Sequence, residues 1–111
     1  MDYQIVYFSE DVQEVILRLP DSLAARYVVL SRRMATLGPF LGNPHTKALG
    51  DGLFELRLRS GDGIARVFFC TLIGRRIVML HGYVKKSQKT PRKEIDLARS
   101  RKLEVKNEDA R

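Results

Sequence analysis

The sequence predicts an α+β domain: an N-terminal strand, a helical hairpin packed on a twisted, mostly antiparallel sheet, and a short C-terminal helix. Three observations predict it. Apolar residues recur at helical spacing through residues 12–37, alternate with polar ones through residues 53–84, and return to a helical pattern after Thr90-Pro91. With 111 residues, 44% of them hydrophobic, the chain can bury one modest core. A single domain over residues 1–105 is expected, followed by a frayed tail over residues 106–111, which has little to bury.

Tyr3 through Phe8 is rich in β-formers and reads as the first strand. Ser9 before Glu10-Asp11 marks a helix start, since its hydroxyl can accept from an orphan N–H while the acids face the positive end of the dipole. Val12, Val15, Ile16 and Leu19 then form an apolar face that Pro20 stops. Asp21 or Ser22 restarts the helix, with Leu23, Tyr27, Leu30, Met34 and Leu37 on one side and Gly38-Pro39 ending it. These stripes belong to the core. Residues 40–52 hold three glycines, a proline and no sustained period, so they read as a loop in which His45 and Lys47 are solvated.

Three strands follow over residues 53–59, 64–71 and 75–84, with glycine at both intervening turns. Short turns make them antiparallel neighbours. Period two puts Glu55, Arg57 and Arg59 on one side of the first, opposite Phe54, Leu56 and Leu58. It groups Arg66 with Phe68 and Cys70 on the second, and Met79 with His81 and Tyr83 on the third. One sheet face can therefore bear Arg57, Arg59, Arg66, His81 and Tyr83, unless a bulge reassigns the register. A basic segment with Lys85, Lys86 and Lys89 follows, after which Thr90 can cap a helix with Pro91 at its first position and Glu94 near its first turn. Ile95, Ala98 and Leu103 supply the apolar side of that helix.

The net charge is +7, distributed as −1 over residues 1–40, +6 over residues 41–90 and +2 over the remainder. Concentrating the excess in the sheet-like middle points to a polyanion, with nucleic acid ahead of membrane because no basic amphipathic helix carries it. No stretch has the length and apolarity of a membrane span and the start lacks a signal peptide's regions, so a cytoplasmic protein is expected. The single Cys70 lies in an apolar run, in keeping with a reducing compartment. There is no Walker A loop, dinucleotide fingerprint, CxxC or HExxH, and the two histidines and one cysteine are far apart; no cofactor and no metal are expected.

The remaining chemistry is cationic. An arginine on a rigid strand presents a planar fork that fits a phosphate, and several can stabilise charge developing on a pentavalent phosphorus. That suits metal-free RNA cleavage by the substrate's own 2′-hydroxyl, which also needs proton transfers. His81 is the strand residue suited to them, because an imidazole titrates near neutral pH, and Tyr83 can stack on a base. Each has a quieter explanation: Arg57 or Arg59 paired with Glu55, His81 as a satisfied, partly buried histidine, and the lysines as a solvated edge.

Lys47-Ala48-Leu49, Gly52-Leu53-Phe54-Glu55-Leu56-Arg57, Ala65-Arg66-Val67-Phe68-Phe69 and Leu80-His81-Gly82-Tyr83-Val84-Lys85-Lys86, followed by Thr90-Pro91, resemble the RelE/ParE toxin superfamily. The resemblance is nearest to its phage-derived, HigB-like branch and covers nearly the whole chain. It implies a small toxin of a type II toxin-antitoxin pair, with the RelE-like fold. In the RelE and HigB types, such a toxin cuts mRNA on the ribosome without a metal and inhibits translation. The partners implied are a helix-turn-helix antitoxin and, through their complex, promoter DNA. By position, Arg66 matches the central-strand arginine that contacts the scissile phosphate in the ribonuclease members; Arg57 and Arg59 match basic positions on the preceding strand, and Lys85 or Lys86 matches a basic position after the last long strand that is used for charge stabilisation. The expected catalytic set is Arg66, Arg57, Lys86 and His81, and the expected RNA-binding set is Arg59, Lys85, Lys89, Tyr83 and Lys47. Glu55 stands where RelE has a lysine, and RelE's C-terminal tyrosine has no counterpart, Arg92 lying near its place. Two other readings stay open: a ParE-like DNA gyrase inhibitor without enzymatic activity, and an inactive phage-derived protein that binds a partner.

Overall fold

The computed structural model describes residues 2–86 and 89–111. The elements run β1 (Gln4–Tyr7), α1 (Glu10–Leu17), α2 (Asp21–Leu37), β2 (Thr46–Gly50), β3 (Leu53–Ser60), β4 (Gly63–Leu72), β5 (Arg76–Lys85) and α3 (Arg92–Asp109). The strands form one sheet in the order β1-β5-β4-β3-β2, with β1 parallel to β5 and every other pair antiparallel. This is the α+β arrangement read from the sequence.

Helix α1 lies over β5 and α2 over β3 on the same sheet face, sealing Ile16, Leu23, Tyr27, Leu30, Met34, Val67 and Phe69 into the main core. Ser9 caps α1 as expected, its Oγ accepting the Val12 N–H at 3.2 Å. The apolar stripes are narrower than the periodicity suggested. Val15 and Leu37 are 49% and 71% exposed, because α1 meets the sheet through Val12 and Ile16 alone and Leu37 sits in the last turn of α2.

Helix α2 has Pro20 at its N-cap and so no side chain of its own to satisfy the first N–H groups. Asp62, in the turn between β3 and β4, does so from a distance: Oδ2 accepts the Ser22 N–H at 3.1 Å and the Ser22 hydroxyl at 2.7 Å. These bonds favour the carboxylate and hold its pKa below the usual 3.8. A depressed carboxyl stabilises the fold only while ionised, so its contribution is present above pH 3.8 and lost as pH falls through the lower folded value. Asp62→Asn is therefore expected to lower the thermal midpoint at neutral pH, the gap from wild type closing in strongly acidic buffer; equal gaps at both pH values contradict this.

Gly82 on β5 faces α1. A Cβ there would stand 2.9 Å from Ile16 Cγ1, a wholly buried side chain with no room to retreat. Gly82→Ala is expected to cost about 1–3 kcal/mol of unfolding free energy, measured by denaturant titration.

The loop expected over residues 40–52 contains strand β2, joined to β3 by Asp51 and Gly52, both at positive φ. Asp-Gly is a type I′ hairpin signal. The strand itself is hard to recognise because Thr46–Gly50 lacks apolar alternation.

The largest correction concerns the C-terminus. Helix α3 is 18 residues long and runs through the supposed frayed tail to Asp109. Its buried side chains are Ala98 and Lys102, with Ile95 and Val105 beside them, while Leu103 is exposed. Cationic side chains tie it down. Arg99 donates to the carbonyls of Leu49 and Gly50, Lys102 to Asp51, Arg101 to Leu80, and Lys106 to Thr71 at 2.6 Å, while Arg76 pairs with Asp109 at 2.7 Å. Lysine and arginine stems cover apolar surface while their heads reach backbone oxygens. Thr90 does not cap this helix: Pro91 takes the N-cap position in extended geometry, with no side-chain cap. Ser87 and Gln88, in the basic segment before it, lie outside the described residues. Among the described residues, no helix is long and apolar enough to cross a membrane.

Candidate active site

Register aligns the strand arginines. Arg57 faces Arg66 across β3 and β4, and Arg66 faces Tyr83 across β4 and β5. The adjacent row runs Lys47, Glu55, Phe68 and His81, and the next runs Arg59, Ile64 and Lys85. The polar face expected from parity is thus assembled from four strands. Met79 departs from it. A bulge opposite Phe68 and Phe69 inserts Leu80 into β5, so Met79 turns into the core under α1 and α2 while Val78 and Leu80 face α3.

Glu55 organises this face. It is 3% exposed, and one carboxylate oxygen, Oε2, lies 3.2 Å from Arg57 Nε and 3.0 Å from Arg66 Nε. The Arg57 contact is a hydrogen bond. Arg66 Nε–H points off the bond axis, so its contact is an ion pair by proximity. Arg66 itself is 9% exposed and also donates Nη1 to the carbonyl of Ala65 at 3.2 Å. Burial pulls the Arg66 pKa downward and the Glu55 charge opposes that pull. Two guanidinium groups that would repel each other are held side by side by one buried carboxylate.

Beside them opens a cavity of about 300 Å³ lined by Arg26, Pro44, His45, Arg57, Leu58, Arg59 and Arg66. It exists because β2 pairs with β3 only as far as Thr46 opposite Leu56. Beyond that point a last bond, Arg57 N–H to the His45 carbonyl at 2.7 Å, closes the ladder and the edge of β3 is open. His45 is fixed in a turn rather than loosely solvated. Its N–H and that of Thr46 donate to the Gly42 carbonyl, and Thr46 Oγ1 accepts the Gly42 N–H at 2.9 Å. Desolvation lowers the His45 pKa below 6.5, and the charges of Arg33 and Arg26 lower it further.

Lys85 belongs electrostatically to this cluster: desolvation and the charges of Arg66, Arg57 and Lys47 lower its pKa, with Glu55 opposing them. Tyr83 pairs with Arg66 across β4 and β5 but does not line the cavity, its ring lying 5.9 Å from Phe68 and 6.0 Å from His81. Burial raises its phenol pKa, with Thr90 and Arg66 pulling the other way.

The other expected residues stand apart from the cavity. His81 Nε2 lies 3.2 Å from Glu94 Oε2 on α3, and its ring lines a different groove with Asp11, Val12, Val15, Gly82 and Arg101. Lys86 lines a third groove with Tyr83, Pro91, Lys93 and Glu94, and Lys89 is exposed ahead of α3. Arg26 and His45 are the cavity residues with polar side chains that the expected set lacks. His45 carried a faint signal, a histidine in a Gly/Pro-rich turn just ahead of the basic strands; Arg26 carried none, lying on a helix whose apolar stripe faces the other side of the sheet. Among the described residues there is no group of three or more His, Cys, Asp or Glu side chains suited to hold a metal ion.

Residues 14–103 match the family model described as "Phage derived protein Gp49-like (DUF891)". No curated protein matches the chain.

Proposed function

The chain belongs to the Gp49-like phage-derived family, a toxin-like family of RelE/HigB type, and from that premise and its arginine-lined cavity we propose that it is a toxin that cleaves mRNA without a metal. One observation carries the reading: Glu55 holds Arg57 and Arg66 together at the wall of an open, cation-lined cavity that also receives Arg59 and a histidine. A phosphodiester bridging these forks would be held by paired donors whose charge matches the extra negative charge of a pentacoordinate phosphorus.

In the proposed reaction the 2′-oxygen attacks the adjacent phosphorus, the P–O5′ bond breaks, and a 2′,3′-cyclic phosphate and a 5′-hydroxyl result. His45, with its pKa lowered, is neutral at physiological pH and takes the 2′ proton. The Lys85 ammonium, in one row with Arg59 and with its pKa lowered by desolvation and by the charge of Arg66, delivers a proton to the departing 5′-oxygen. Arg66 and Arg57 stabilise the phosphorane, and Arg59 and Lys47 hold the flanking backbone. Tyr83 stands opposite Arg66 on the neighbouring strand. The physiological substrate in this reading is mRNA on the ribosome in the cytoplasm, and the inhibitor is a helix-turn-helix antitoxin whose complex with the toxin binds promoter DNA.

Expression without an antitoxin, with mRNA ends mapped in the same cells, tests the assignment. New cuts within coding sequences are expected; intact mRNA together with inhibited gyrase supercoiling would reverse it in favour of the ParE-like reading. The pH profile tests the proton transfer. The groups facing His45 are Arg26 and Arg33 from α2, Arg57 and Arg59 from β3, and Arg66 from β4, all cationic. The base works when deprotonated and the acid when protonated, so kcat/KM should rise with pH through a value below 6.5, level off, and fall again as Lys85 loses its proton below its ordinary 10.5. His45→Gln should lose that limb and roughly 10²- to 10⁴-fold in rate.

A further inference from the structure

Helix α2 packs on the sheet face opposite Arg57 and Arg66, yet Arg26 reaches their cavity around the open edge of β3. Arg33 follows seven residues later, two helical turns on and on the same side, about 10 Å along the axis. Arg26 lines the cavity beside His45, and the helical spacing sets Arg33 beyond it on the same side of α2. Acids near this edge are already engaged. Glu55 is buried against Arg57 and Arg66, and Asp62 is bound to Ser22. Among the described residues, no carboxylate forms an ion pair with Arg26, Arg33 or Arg59. The result is a line of uncompensated like charge that bends from the sheet, around its edge, onto a helix.

We propose that Arg26 and Arg33 carry the backbone of a bound single-stranded RNA out of the cavity and around the edge of β3, so that the strand contacts both the sheet and α2. The identity of the polyanion rests on the ribonuclease reading; the path rests on the placement of the charges. A small phosphate would occupy the cavity and leave Arg33 unused. A flat anionic membrane cannot touch a sheet face and a helix around an edge. A flexible strand can do both, releasing counterions at each phosphate it brings to an arginine.

The test measures the affinity of the full-length protein for a 2′-O-methylated RNA strand, which binds without being cleaved, across a series of salt concentrations. For Arg26→Gln/Arg33→Gln, the slope of log K against log salt should become shallower by about 1.4, at roughly 0.7 per lost phosphate contact. Arg32→Gln removes the same charge one position away, off that side of the helix, and should change the slope by less than about 0.3. An unchanged slope in the double variant overturns the proposal, as does an Arg32 effect equal to half the double variant's. A wild type that cleaves RNA while the double variant keeps its slope sinks the path alone. A wild type that neither binds nor cleaves RNA sinks the ribonuclease reading with it.

Discussion

Arg66→Ala is expected to reduce single-turnover RNA cleavage by roughly 10²- to 10³-fold, the loss seen when a preorganised donor to a developing oxyanion is removed. The size of the effect follows from burial. At 9% exposure, Arg66 works in a poorly solvated site, where its interaction with a charged oxygen is weakly screened. The variant should remain folded, because Glu55 keeps its hydrogen bond from Arg57 Nε at 3.2 Å. Arg66→Lys separates charge from geometry, since a lysine supplies the cation without the planar fork. A lysine variant recovering only a small part of the rate indicates two-pronged phosphate recognition; full recovery would mean that charge alone suffices. Circular dichroism and thermal melts on the same preparations show whether any loss is chemical.

The second large effect is on stability. Glu55→Ala removes the carboxylate that neutralises Arg57 and Arg66, leaving one guanidinium largely buried against another. Breaking a buried pair in this way costs about 3–5 kcal/mol, and the low end applies because Arg57 is partly exposed and can turn to solvent. A fall of about 3 kcal/mol corresponds to on the order of 10 °C in Tm for a domain of this size. The logic is checked by a second substitution. Adding Arg66→Met removes the stranded charge, so the double variant should regain part of the lost stability while remaining without cleavage activity. If Glu55→Ala melts with wild type, Glu55 does not hold the arginines together, and the preorganised site loses its basis.

What was legible in the sequence follows from which physical signals are local. The strands bearing Arg57, Arg59 and Arg66 declared themselves because period two survives wherever one sheet face is buried, and Leu56, Leu58, Ala65 and Val67 supplied that face. Helix α1 was legible from Ser9 and from Val12 and Ile16. Strand β2 was not, because Lys47, Ala48 and Gly50 at the edge bury too little to alternate. The full length of α3 was hidden because its anchors are Arg99, Lys102 and Lys106 reaching carbonyl oxygens on distant strands, contacts to which apolar periodicity is blind. The bulge at Leu80 that turned Met79 away from His81 has no signature in an apolar run.

The site divides along the same line. Parity brought Arg57 and Arg66 together, but it could not show that Glu55, which departs from RelE's pattern, would be buried between them as their counter-ion. Nor could it place His81, which the bulge and α3 leave against Glu94 rather than in the arginine cavity. Arg26 and His45 enter from a helix behind the sheet and from a turn, so only the folded edge of β3 brings them to the strand arginines.

The most direct test is the chemistry of the cut ends. Purified protein, programmed ribosomes and mRNA are combined in buffer containing EDTA and enough free magnesium to keep the ribosome intact, and the RNA termini are identified by enzymatic end-labelling, with Arg66→Ala in parallel. The wild type should leave 5′-hydroxyl and 2′,3′-cyclic phosphate ends, and the variant almost none. Ends bearing a 5′-phosphate, or equal cleavage by Arg66→Ala, would contradict the proposed reaction.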